Sequence, residues 1–211
     1  VYTPIELNDI SFATYNEPNL DDTFKEKLQI MTSMGFVYEH ISNGSMITTD
    51  LTDFLIENPQ NIKQFRLNIP TLDEKKWKDI TGSSVAVLYR MYYQLEYLFS
   101  RVSQLNFPIS VIVNGDGGED HKQEFMKVYQ KFAHHKGINL SMTGLIDRAG
   151  TLEGAECETQ KLPTGAIDWG DVPLRCNAGY FDNLYFGIKG NVFYCCHDYH
   201  QDYSCGNIHE T

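Results

Sequence analysis

The chain has 211 residues, with 17 Lys and Arg against 28 Asp and Glu, so its net charge of −11 argues against a nucleic-acid partner; binding along a phosphate backbone needs clustered cations. No window approaches the roughly 20 apolar residues of a membrane helix, and the opening "VYTPIELND" has neither a basic nor an apolar leader segment. A cytoplasmic chain long enough to bury one core is therefore expected.

The first predicted strand is "DISFAT" at 9–14, followed by a helix at 20–35 whose Phe24, Leu28 and Met31 share a face and whose Gly35 suits its end. A strand at 36–42 leads through the turn "NGS" to a helix at 48–58, capped by Thr49 or Asp50. The next strand spans 62–69. After it, Thr71-x-x-Glu74 reads as a capping box opening a short helix that stops at Gly82. A longer helix at 84–103 places Leu88, Met91, Tyr92, Leu95, Phe99 and Val102 on one stripe.

The run "PISVIVNG" at 108–115 is a strand, followed by a helix at 119–135 with Phe125, Val128, Tyr129 and Phe132 inward, and then a strand at 137–146. Five strands alternating with helices predict an α/β fold with parallel strands. His134 and His135 close a helix, where imidazoles suit the dipole, so they are read as capping groups rather than ligands. His40, inside a strand, is read as a satisfied core or rim histidine. "NGDGGED" has no Walker lysine and no EF-hand ligand order.

The pattern changes near Asp147. A Gly-, Pro- and charge-rich connection leads to "LYFGIKGNVFYCC", a hairpin turning at Lys189-Gly190-Asn191. The expected division is a βα body at 1–150 and a tail at 151–211. All five cysteines, Cys157, Cys176, Cys195, Cys196 and Cys205, fall in that last part. An odd number cannot pair completely within one chain.

Ligands of parallel βα arrays gather at the C-terminal strand ends. Here those ends deliver Tyr15-Asn16-Glu17-Pro18, Asn43, Asn68 with Thr71, Asn114, and Arg148. Each turn is also what an ordinary βα connection prefers.

Taken in order, these stretches resemble the radical S-adenosylmethionine enzymes. "ISFATYNEP" is similar to that family's second strand and Gly-Gly-Glu-Pro motif, with Tyr15-Asn16 in place of the glycines. "ISNGSMIT", "FRLNIPTLDEKKWKDITG", "PISVIVNGDG" and "LSMTGLIDRAG" resemble its third to sixth strand endings. Cys176-x13-Gly190-x4-Cys195 with "GNIHE" resembles the opening of a SPASM or twitch extension. The resemblance implies a partial (β/α) barrel followed by a cysteine-bearing β-hairpin tail.

It also implies S-adenosylmethionine as cofactor. Glu17 would accept from the methionine ammonium beside backbone carbonyls near Tyr15 and Asn16, Asn68 and Thr71 would face the ribose, and Arg148 would pair with the carboxylate or tie down its loop. Cys176, Cys195, Cys196 and Cys205 would hold an auxiliary [4Fe–4S] cluster; zinc, with His197 and His209 added, and unliganded thiols are the alternatives.

The family's CxxxCxxC triplet does not occur in the chain. Hence the expectation is a piece of such an enzyme, starting at the family's second strand and unable by itself to cleave S-adenosylmethionine. Intact, it would abstract hydrogen from an unnamed substrate, with peptides or proteins the class implied. The open edge beside "ISFAT" would then favour association with another chain. A non-catalytic βα binding module is the alternative.

Overall fold

A computed structural model describes residues 10–12, 17–144, 184–187, 189–193 and 204–210. The chain divides into two compact units, Val1–Thr143 and Gly144–Thr211. Among the described residues no helix is long and apolar enough to cross a membrane.

The first unit alternates strand and helix as the two periodicities dictate. In order come β1 (Ile10–Phe12), α1 (Phe24–Ser33), β2 (Tyr38–Ser42), α2 (Thr49–Glu57), β3 (Ile62–Asn68), α3 (Glu74–Thr81), α4 (Val85–Ser100), β4 (Ile109–Gly115), α5 (Glu119–Phe132) and β5 (Ile138–Gly144). The sheet order is β1-β2-β3-β4-β5, a parallel array in which each strand lies beside its sequence neighbour. When every crossover joins neighbours with the same hand, every helix falls on the same face.

Burial shows that one-sidedness. Tyr38, Phe65, Leu67, Val111 and Val113 of the strands pack with Leu28, Leu55, Trp77, Met91, Leu95 and Val128 of the helices in one apolar cluster. Alternate strand residues face the other way and are only partly buried. This is the expected partial (β/α) barrel wall.

Helix starts differ from the sequence reading. A 3-10 turn at Pro18–Leu20 and an Asp21 side chain that accepts from Thr23 N (2.9 Å) delay α1 to Phe24. Thr48, not Thr49 or Asp50, caps α2 through Leu51 N (3.1 Å). The expected capping box at α3 does not form: Asp73 accepts from Lys75 N and Lys76 N, both at 3.0 Å. Thr71 is drawn away to donate to Glu124 Oε2 at 2.5 Å.

Helix α5 is rotated relative to expectation, with Glu124 buried and Tyr129 exposed. Its buried carboxylate is tolerated because Lys76 Nζ (3.0 Å) and Lys127 Nζ (2.9 Å) also reach it.

The second unit contains an antiparallel sheet of β6 (Tyr185–Phe186), β7 (Asn191–Phe193) and β8 (Gly206–Asn207). Its first two strands are the predicted hairpin, turning at Gly190 with φ +81°, and β8 is an addition.

Candidate ligand-binding face

Strands buried on both faces read as continuous apolar runs, but β3 and β4 alternate. Cross-strand register places Glu39 beside Gln64, Ile41 beside Arg66, Arg66 beside Ser110, and Asn68 beside Ile112. These residues and Asn114 therefore share the face opposite the helices. All are partly exposed, and most are polar.

Arg66 is central to that face. Its Nη2 donates to Gln64 Oε1 (3.0 Å), and Gln64 Nε2 donates in turn to Ser110 Oγ (3.3 Å). Among the described residues no carboxylate pairs with the guanidinium, which leaves most of its five donors for a ligand. Across the β2–β3 bulge, Lys63 Nζ stands 3.8 Å from Glu39 Oε1.

At the C-terminal rim, Glu17, which caps the 3-10 turn at Pro18–Leu20, ties that turn to the end of β2. Its Oε1 accepts from Asn19 N (3.2 Å), Asn19 Nδ2 (2.7 Å) and Ser42 Oγ (2.8 Å), while Oε2 accepts from Asn43 N (2.6 Å). Burial pushes its carboxyl above the usual range, outweighing those hydrogen bonds. Among the described residues the carboxylate thus has four donors but no cation, with one acceptor direction on Oε2 left free by them.

The predicted site residues divide accordingly. Glu17 and Asn43 are brought into direct contact, and Pro18 is buried at the start of the 3-10 turn. Asn43 spends its side chain on Ser45 N (2.9 Å). Asn68 and Asn114 lie on the polar face at adjoining strand ends. Thr71 is fully buried in the Glu124 network, away from that face.

Tyr15, Asn16, Arg148, Cys176, Cys195 and Cys196 lie outside the described residues, as does His197. Cys205 is an exposed free thiol whose Sγ donates to the Val192 carbonyl at 3.1 Å. His209 is exposed in the second unit. Gln64, Arg66 and Ser110 were not anticipated; the alternation Gln64-x-Arg66-x-Asn68 was the signal available in the sequence.

The loop after β4 is fixed by His121. Gly117 N donates to Nδ1 at 3.0 Å, so Nε2 carries the proton that Val113 O receives at 2.8 Å. A Cβ on Gly115 would lie 2.5 Å from His121 Cγ. Gly115→Ala is expected to destabilise the protein by about 1–3 kcal/mol through overpacking against a pinned ring. Urea unfolding checks this, and an unchanged midpoint would mean the ring moves aside at no cost.

An open depression lined by Leu72, Asp73, Glu74, Lys75 and Lys127 lies at the start of α3, apart from this polar face.

No family model matches the chain, and no curated protein matches it. Among solved structures it is similar to TYW1 with a lysine–pyruvate adduct bound, at 15% identity and TM-score 0.46, covering 65% of this chain and 42% of that one. It is also similar to SuiB of Streptococcus suis bound to S-adenosylmethionine, at 12% and 0.39, covering 85% and 47%. A domain of pyruvate-formate lyase-activating enzyme from Bacteroides vulgatus gives 11% and 0.39, covering 66% and 99%. The chain thus spans less than half the length of the TYW1 and SuiB chains, and none of these TM-scores is high enough to carry a functional inference.

Proposed function

We propose that the first unit is the cofactor- and substrate-binding wall of a radical S-adenosylmethionine enzyme. The observation that supports this reading is the one-sided parallel sheet: among the described residues no helix covers its second face, that face is largely polar, and Asn68 and Asn114 end neighbouring strands on it, beside the rim where Glu17 clasps Asn43. An adenosyl group and a methionine head need amide and hydroxyl partners plus a place for one ammonium and one carboxylate, and this face offers such groups. Asn68 and Asn114 would serve the ribose and base, the rim around Glu17 the ammonium, and Arg66 an anionic group. When bound, S-adenosylmethionine supplies a 5′-deoxyadenosyl radical on one-electron reduction, and the substrate proposed for it is a peptide or protein.

The residues present do not fit the cluster that would deliver that electron. Three thiolates in a CxxxCxxC loop are required, and the five cysteines of this sequence include no such triplet. An auxiliary cluster on Cys176, Cys195, Cys196 and Cys205 remains part of the proposal. The same polar lining also supports a second reading, a βα module that binds a small ligand on that face without catalysis.

Calorimetric titration of S-adenosylmethionine into the 211-residue chain tests the proposal. Binding is expected, weakened about tenfold or more by Asn68→Leu or Asn114→Leu, since each leaves a ligand polar group unpaired. If the wild-type chain does not bind, or if both variants bind as well as it does, the cofactor assignment is wrong.

A further inference from the structure

Away from the polar sheet face, three potential metal ligands meet where α4 passes the end of α5. Glu96 projects from α4, and His134 and His135 occupy the turn that follows Phe132. One donor atom from each lies within 4.8 Å of the other two. Consecutive residues inside a helix diverge by about 100°, but these two are past its end, and their rings come together with centroids 3.9 Å apart.

We propose that Glu96, His134 and His135 bind a divalent transition-metal ion of the zinc class. Two imidazoles and one carboxylate form the nitrogen–oxygen set that zinc accepts with a further position left for water. Bonds of about 2.0–2.2 Å place tetrahedral ligand atoms roughly 3.3–3.5 Å apart. The contraction from the present spacing falls to His134, which is exposed and free to rotate.

His135 is already held. Its Nε2 is hydrogen-bonded to Glu96 Oε2 at 2.9 Å, a contact that the metal would replace as the two atoms open to the tetrahedral spacing, while the Phe99 ring packs against it at 5.7 Å and its side chain is only 12% exposed. Lys131 Nζ sits 3.5 Å from Glu96 Oε1, the opposite carboxylate oxygen, and leaves Oε2 to the metal. The carbonyls ending α5 carry about half a negative charge, which favours a cation at this place.

Thiolates also take such ions and the chain has five cysteines, so the probe must distinguish sulfur from nitrogen and oxygen. Cobalt(II) is titrated into the full chain and into His134→Ala, with the absorption spectrum recorded. The wild type is expected to bind one cobalt equivalent that the variant loses or binds at least tenfold more weakly, and the difference spectrum should lack thiolate-to-cobalt charge transfer. Glu96→Gln, which keeps the shape of the side chain, should weaken the same equivalent. Equal stoichiometry and affinity in all three proteins, or a thiolate band in the difference spectrum, would overturn the proposal. His134 is exposed, so its variant is expected to keep the wild-type circular dichroism.

Discussion

Replacing His40 with leucine is expected to remove roughly 2–3 kcal/mol of acid sensitivity from the fold. The imidazole is completely buried between Phe24 and Phe65, with ring centroids at 5.1 and 4.5 Å, and among the described residues neither nitrogen has a partner. Burial alone pulls its pKa down to about 3 from the ordinary 6.5. The folded protein therefore resists a proton that the unfolded chain accepts freely.

The depressed value fixes the direction of the effect. The stability this group contributes is fully present above pH 6.5 and is lost as the pH falls towards 3. Between pH 6.5 and 4.5 the loss is two pH units at about 1.36 kcal/mol each. The leucine variant has no such proton to take up. At neutral pH it should be as stable as the wild type or more so, because an unpaired buried nitrogen costs about 1–3 kcal/mol and leucine has none.

Urea unfolding of both proteins at pH 7.5 and 4.5 gives the double difference, in which the contribution of every other titrating group cancels. A double difference near zero would show that His40 finds a proton partner in the folded state.

His40 also shows what the sequence could not convey. Its strand was legible from periodicity, and its place on a buried face followed from the alternation with Tyr38 and Ser42. Whether a buried imidazole is satisfied depends on partners in other elements. The same limit explains the helix starts. Thr71 has the spacing of a capping residue, but its hydroxyl goes to Glu124, which lies 53 positions away in sequence. That choice also decided which face of α5 turned inward, since a glutamate is buried only when cations such as Lys76 and Lys127 reach it.

The candidate face was half legible. Asn68 and Asn114 stand out as strand-end amides, whereas Gln64 and Arg66 lie inside a strand, where no local feature marks them as ligand-facing. Their meaning emerged when sequential strand order put every helix on the opposite face. The Glu96–His134–His135 group depends on α4 and α5 being neighbours, which no local spacing encodes.

Glu17 carries the second large effect, and it separates bracing from ligand binding. Glu17→Ala should lower stability by about 2 kcal/mol, because Asn19 N, Asn19 Nδ2, Ser42 Oγ and Asn43 N lose a charged acceptor while the cost of burying that charge disappears. Glu17→Gln keeps an oxygen for three of these donors but turns an amide N–H towards Asn43 N–H, so a loss of about 1–2 kcal/mol is expected. The raised pKa works in the opposite sense to His40. What Glu17 contributes through its proton is present below the ordinary glutamate value near 4.5 and is lost as the pH rises through the raised folded value. A ligand ammonium on the free direction of Oε2 would favour the ionised form and pull that pKa back down. Binding of S-adenosylmethionine at mildly acid pH should then release protons, visible as a binding enthalpy that varies with the ionisation enthalpy of the buffer, and Glu17→Gln should abolish the variation. If the stability loss occurs but no protons are released, Glu17 is the clasp between the 3-10 turn and the end of β2, and the ammonium is received elsewhere on the rim.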